Sequence, residues 1–280
     1  MDGIPILSLE DGKAQLRGKS VILGAATHEV EEEMRNLLLD SSAEQIFSIS
    51  ELILFFDLSR VGWHDRFDYS EILDAILKEG LLKEYLYHLQ VWENTCRYFQ
   101  NEFERILKEY QTPGRKLADV ACGYGIWSLF FADRGFEVLG IDCDASRLNV
   151  FRRVAKSHPN MTALDADIRN MDCIPDNSQD ISFCAHTIHV VPDWRKVISE
   201  MNRITRSKGI IILAIGRTDH LFLQKIYHGL SIIQWDATLE NIIEAAAPEA
   251  ELTEAVDIYT DEALQFSKDP ADAILIFAKR

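Results

Sequence analysis

Two hydrophobic rhythms divide the chain. From about residue 28 to 110, apolar positions recur at helical spacing. They do so in "HEVEEEMRNLLLDS", in "AEQIFSISELILFFDLSR" and in the long run "YSEILDAILKEGLLKEYLYHLQVWENTCRYFQNEFERILKEY". Ser70 is the expected N-cap of "EILDAILKEG", and Gly80 interrupts the pattern. "VILGAA" (21–26) reads equally as a short strand or a loop, and "QTPG" (111–114) punctuates the chain. After residue 115 short apolar runs alternate with helical ones: "KLADVA", "GIWSLFFADRG", "FEVLGID", "SRLNVFRRVAKS", "MTALDAD", "DISFCAHTI", "WRKVISEMNRITRSKG" and "IIILAIG". This β-α-β alternation predicts a parallel sheet with helices on both faces. A long helical stretch around 220–247 follows. Then come "TEAVDIYT" and "AILIFAK", joined by "DEALQFSKDPAD" with no crossover helix, which predicts an antiparallel pair. The expected fold is α/β: a doubly wound, mostly parallel seven-stranded sheet ending in an antiparallel hairpin, with an N-terminal helical extension. The expected boundary separates a helical cap, 1–114, from a ligand-binding domain, 115–280.

Composition narrows the partners. A chain of 280 residues that is 47% hydrophobic can bury a substantial core. No run of eighteen apolar residues occurs, so no membrane partner is expected. "MDGIPILSLEDGKAQLRGKS" lacks a basic segment followed by an apolar one, so it does not read as a signal peptide. The five cysteines (Cys96, Cys122, Cys143, Cys173, Cys184) form no CxxC pair, which argues against a zinc site or a disulfide framework and for a reduced, cytoplasmic setting. The net charge of −16 argues against a nucleic-acid substrate. A monomer or homodimer without a metal is expected.

The candidate chemistry begins at "DVACGYG", Asp119 to Gly125. Gly123 and Gly125 allow positive φ and close approach of a ligand. Asp142 ends the next strand, 23 positions after Asp119, where an acid can accept from both hydroxyls of a ribose. The bland alternative is a tight strand-to-helix turn with a helix-capping acid. A dinucleotide fingerprint is short of glycine in either register, starting at Ala121 or at Gly123.

Five motifs in order resemble the class I S-adenosylmethionine-dependent methyltransferases, especially their small-molecule group. They are "DVACGYG", with Ala121 at the first glycine position; "GIDCDAS"; "DADIRN"; "PDNSQDISF"; and "HTIHVVPDWRKVISEMNRITRSKGIIILAI", with Ser207-Lys208-Gly209 where Pro-Gly-Gly is usual. The resemblance spans about residues 92–280, and the first ninety residues carry no motif of that family. It implies S-adenosylmethionine as cofactor, S-adenosylhomocysteine as product and a small-molecule methyl acceptor. It further implies that Asp119, Ala121, Gly123 and Gly125 wall the methionine part and that Asp142 holds the ribose. Cys143 would then lie beside the adenine, Asp167 would accept from its amino group, with Asp165 as competing acid, and Ile168 would pack on the ring. Ala185 and His186 would face the sulfonium.

Methyl transfer needs chiefly alignment of the acceptor with the methyl group. A hydroxyl acceptor also benefits from a base, and "HTIHVVPDW" offers His186, His189 and Asp193 at the carboxyl end of the sheet. His189 is the first candidate base, against a role in loop packing; His186 either acts or lines the pocket. O-methylation is the first expectation, with N- or C-methylation next. The rivals are a nicotinamide-dependent oxidoreductase and a non-catalytic binding module. In the helical half, Trp63, His64, Tyr69, Tyr85, Tyr87, His88, Trp92 and Tyr98 read either as core or as a lid of residues 60–100 over the pocket. Residues 219–235 are a further candidate wall. Glu31-Glu32-Glu33 reads as a solvated helix face.

Overall fold

The structure, a computed structural model, describes residues 20–23, 45–48, 67–81, 84, 85, 88, 93–110, 112, 114–216, 236–258 and 272–280. Of the positions singled out above, Glu31–Glu33, Trp63, His64, Tyr87, Trp92, the Tyr98 side chain and the 219–235 segment lie outside the described residues. The chain divides into two compact units, residues 1–65 with 81–87, and residues 66–80 with 88–280.

In the first unit, β1 (Ser20–Leu23) and β2 (Gln45–Ser48) pair in parallel, Ser20 against Gln45 and Leu23 against Ser48. The choice left open for "VILGAA" is thereby settled as strand at residues 21–23. The helical reading of "AEQIFSISELILFFDLSR" is corrected at 45–48. A short run with Ile46 and Phe47 fits either period, and a partner strand decides between them.

The second unit starts with α1 (Ser70–Lys78) and α2 (Glu93–Glu109). Ser70 is the first helical residue and not the cap. Tyr69 holds the cap position, its side chain making no capping bond to the helix, and the Asp68 carboxylate accepts from the Ser70 N–H at 2.8 Å. Gly80, with φ of 75°, closes α1. The sheet elements follow: β3 (Lys116–Val120), α3 (Ile126–Ala132), β4 (Glu137–Asp142), α4 (Ala145–Ala155), β5 (Met161–Asp165) and β6 (Gln179–Ala185). After them come α5 (Trp194–Ile204), β7 (Thr205–Gly216), α6 (Leu239–Ala246), β8 (Ala250–Ile258) and β9 (Asp272–Lys279). Residues 205–209, read as the end of a helix, belong to β7, where Thr205 pairs with Gln179 of β6.

The seven strands run in the order β5-β4-β3-β6-β7-β9-β8. Neighbours from β5 to β7 are parallel; β9 runs antiparallel to both β7 and β8. The expected seven-stranded sheet with its antiparallel hairpin is therefore present, and the hairpin's second strand is inserted next to β7. Strands covered on both faces read as continuous apolar runs, and residues 210–215 of β7 and 273–278 of β9 do so. One face carries Ala118, Val120, Cys184, Leu213 and Leu275 against Trp194, Val197, Ile198, Met201 and Ile242 of α5 and α6. The other is aromatic. Phe103 of α2 meets Trp127 at 4.8 Å and Phe183 of β6 at 5.1 Å, both edge to face. Among the described residues no helix is long and apolar enough to cross a membrane.

Candidate functional site

The glycine turn leaves β3 at the carboxyl end of the sheet. Ala121, Gly123 and Gly125 all have positive φ, at 63°, 56° and 91°. A side chain at Gly125 would run into the ring of Phe151, which α4 inserts beneath the turn, and one at Gly140 in β4 would strike the same ring. A Cβ at Gly123 would meet no described atom within 4 Å, so the turn has an open face there.

Asp142 welds this turn to the next strand. Its Oδ2 accepts from the Gly123 N–H and its Oδ1 from the Asp144 N–H, both at 2.9 Å. Each carboxylate oxygen has a second lone pair to offer a ligand. Asp119 lies buried below, and the Ser128 hydroxyl donates to it. Burial pushes the Asp119 carboxyl up to about 7, with the Ser128 bond opposing and the charge of Asp142 adding.

Further along the strand ends, Cys143 is exposed beyond β4. Asp165 ends β5, exposed and in register with Asp142. Asp167 follows, exposed, and is engaged by Arg169. The guanidinium approaches at 2.6 Å, and the Arg169 N–H donates to Oδ1 at 2.9 Å. That pairing holds the Asp167 carboxyl down at about 2. Ile168 is buried within the apolar layer under α5 and α6.

Ala185 ends β6 opposite Ala214 of β7. His186 then turns with φ of 52°, its N–H donating to the Ala214 carbonyl at 2.7 Å. Its ring stands edge-on to Phe99 of α2 at 5.1 Å. Burial lowers His186 to about 3, with His189 adding, and 21% of its side chain stays accessible. His189 sits in a single 3₁₀ turn, Ile188–Val190, is buried, and is lowered by burial to about 4. Asp193 points elsewhere: it is exposed and accepts from Lys196 Nζ at 3.1 Å.

The fold thus brings Asp119, the three turn residues and Asp142 to the carboxyl ends of β3 and β4, with Asp142 bonded to Gly123, and sets His186 within electrostatic reach of His189. Sequence reasoning missed Ser128, Phe151, Arg169 and Asp272. The first two pack against the turn from helices whose register only folding reveals. Asp272 was read as the end of a linker, whereas it opens β9. An antiparallel strand starts where its parallel neighbours end, and that rule alone points to it.

The comparisons agree with this geometry. Residues 118–213 match a family model described as a methyltransferase domain. Malonyl-[acyl-carrier protein] O-methyltransferase of Serratia marcescens is 30% identical over 112 residues, covering 39% of this chain and 42% of that protein. Demethylmenaquinone methyltransferase of Staphylococcus saprophyticus is 28% identical over 113 residues, covering 39% and 48%. The chain thus spans less than half the length of these relatives. Among solved structures, geranyl diphosphate C-methyltransferase from Streptomyces coelicolor A3(2) superposes with a TM-score of 0.56 at 14% identity, covering 66% of this chain and 81% of that one. The segment that matches the methyltransferase domain, residues 118–213, runs from β3 into β7 and contains the acid-closed glycine turn, and the solved methyltransferase shares the fold.

Proposed function

We propose that this chain moves a methyl group from S-adenosylmethionine to a small organic acceptor, with a hydroxyl as the preferred acceptor. The observation that carries the reading is the bond from the Gly123 N–H to Asp142, which makes the open turn and the ribose-type carboxylate one rigid piece. In this reading Asp119, Ala121, Gly123 and Gly125 flank the methionine part and Asp142 takes the ribose. Cys143, Asp167 and Ile168 surround the adenine, and Ala185 faces the sulfonium.

His189 and His186 are the candidate bases. Both are neutral near pH 7, so each can accept a proton. A weak base suffices, because the acceptor oxygen becomes strongly acidic as its bond to the methyl carbon forms. The O-methyltransferase of Serratia marcescens supports oxygen as the first acceptor atom to test; the C-methyltransferase of Streptomyces coelicolor makes carbon the next.

The test is calorimetry with S-adenosylhomocysteine. Hydrogen bonds to a charged group are worth about 1.5–3 kcal/mol each, so Asp142→Ala should weaken binding about ten- to a hundredfold or more. Unchanged affinity in the variant defeats the ribose assignment, and binding of a nicotinamide dinucleotide in preference defeats the reading as a whole. Mass spectrometry of a metabolite extract incubated with methyl-labelled cofactor then identifies the acceptor atom.

A further inference from the structure

Gly140 lies inside β4, in register with Asp119 of β3 and Ala163 of β5. A glycine within a strand weakens it and often marks the close approach of another group. Its backbone does not call for glycine, because unlike Gly123 and Gly125 it has no positive φ. The reason is a ring. A Cβ at Gly140 would stand 2.5 Å from Cζ of Phe151 and 3.1 Å from Sγ of Cys122, and a Cβ at Gly125 would stand 2.5 Å from Cδ2 of the same ring. These separations lie well inside van der Waals contact. Phe151 is fully buried and fills the gap between β4 and the turn. Two hydrogen bonds draw the turn toward the same strand. The Cys122 N–H donates to the Ile141 carbonyl and the Gly123 N–H to Asp142 Oδ2, both at 2.9 Å. Helix α4 is fastened at its start to the same acid, since the Asp144 N–H donates to Asp142 Oδ1 and the Asp144 carboxylate caps the helix. About two helical turns later α4 delivers Phe151 beneath the glycines.

We propose that Phe151 is a positioning residue for the cofactor, the spacer that sets the distance of the glycine turn from β4, an inference resting on the methyl-transfer reading above. The two hydrogen bonds pull the turn toward the strand, and the ring stops it. In that reading Gly123 and Gly125 flank the methionine part and Asp142 holds the ribose, so the cofactor bridges the two segments whose separation the ring fixes. Repulsion between packed atoms is steep, so a ring in a close-packed site defines a distance more sharply than hydrogen bonds alone. Fixing both segments before the ligand arrives spares binding the cost of ordering them. The ring leaves the ligand's side clear, because a Cβ at Gly123 would meet no described atom within 4 Å. The bulk of Phe151 and the missing side chain at Gly140 are then one feature, each required by the other.

The experiment pairs two readouts on the ¹⁵N-labelled full chain: hydrogen exchange of the Gly123 amide without ligand, and calorimetry with S-adenosylhomocysteine. Phe151→Leu removes the tip of the ring and lets the turn sink; Gly140→Ala drives the ring against the turn. Each change should speed Gly123 exchange and weaken binding about five- to fiftyfold, the size of effect that contacting residues exert on each other. In the double variant the new methyl group takes the space of the ring tip, and Gly123 protection should return with most of the affinity. Ile242→Ala, a cavity in the apolar layer under α5 and α6, is the control. It should destabilise the fold while leaving Gly123 exchange and affinity unchanged. Unchanged Gly123 protection in both single variants overturns the proposal, as does equal loss in Ile242→Ala or no recovery in the double variant. If Phe151→Leu does not fold, Phe151→Met with and without Gly140→Ala makes the same comparison, and absence of recovery there overturns it equally. A wild type that binds S-adenosylhomocysteine but shows no change of exchange in the variants loses only the Phe151 role. A wild type that does not bind it loses the methyl-transfer reading, and the cofactor role of Phe151 falls with it.

Discussion

Ala121 stands in left-handed backbone geometry at a position where the related motif has glycine. Its φ of 63° places the cost of that replacement in the backbone. An L-residue there costs about 1–2 kcal/mol, partly offset because alanine loses less entropy on folding than glycine. Ala121→Gly should therefore stabilise the chain by up to about 1 kcal/mol, read as a raised denaturation midpoint at unchanged slope. Asp119 supports a second expectation. Its carboxyl is held up at about 7 by burial, and a cationic sulfonium and ammonium beside it would favour the charged form. Binding of S-adenosylmethionine should then release a proton below pH 7. Affinity should rise as pH climbs toward 7 and level off above. Calorimetry in buffers of different ionisation heat reads the proton directly; heats independent of the buffer would remove Asp119 from the methionine wall.

Helix α2 shows how an element outside the first recognisable motif shapes the site. Phe103 is buried and touches the rings of Trp127, Phe130, Phe131 and Phe183. Phe99, one turn earlier, is the ring against which His186 stands. Phe103→Ala should cost about 3–5 kcal/mol, measurable by chemical denaturation. It should also loosen the packing of Phe99 against His186, so its effect on His186 ring signals would exceed that of an equally destabilising change in α6, such as Ile242→Ala. The helical period of α2 was legible in the sequence, because apolar positions repeated at the right spacing. Its packing partners were not, since any apolar stripe fits many surfaces. Tyr69 and His88, read as either core or lid, are both buried, and the Tyr69 hydroxyl donates to the His88 carbonyl at 3.2 Å.

Across the whole sheet, protection should follow strand order. β6, β7 and β9 are interior strands with paired neighbours on both sides, whereas β5 and β8 form the two edges of the described sheet. Hydrogen exchange followed by mass spectrometry should show the slowest amides in β6, β7 and β9 and the fastest strand amides in β5 and β8. Slow exchange of β8 equal to that of β7 would mean that another chain covers that edge.

What the sequence determined by itself was local or nearly so. The alternation of strand and helix after residue 115, the glycine turn, the acid 23 positions beyond it and the absence of a crossover before the last strand are all written in short-range patterns. Their physical causes, side-chain period, φ freedom and loop length, act within a few residues. The tertiary structure decided the rest. It made 45–48 a strand by supplying a partner. It tied Asp142 to the Gly123 N–H. It engaged Asp167 with Arg169. It carried Asp272, 86 positions beyond His186 in the chain, to within 3.8 Å of it. Such pairings depend on which strand lies beside which and in what direction, and that order is set by burial of both faces of the sheet at once.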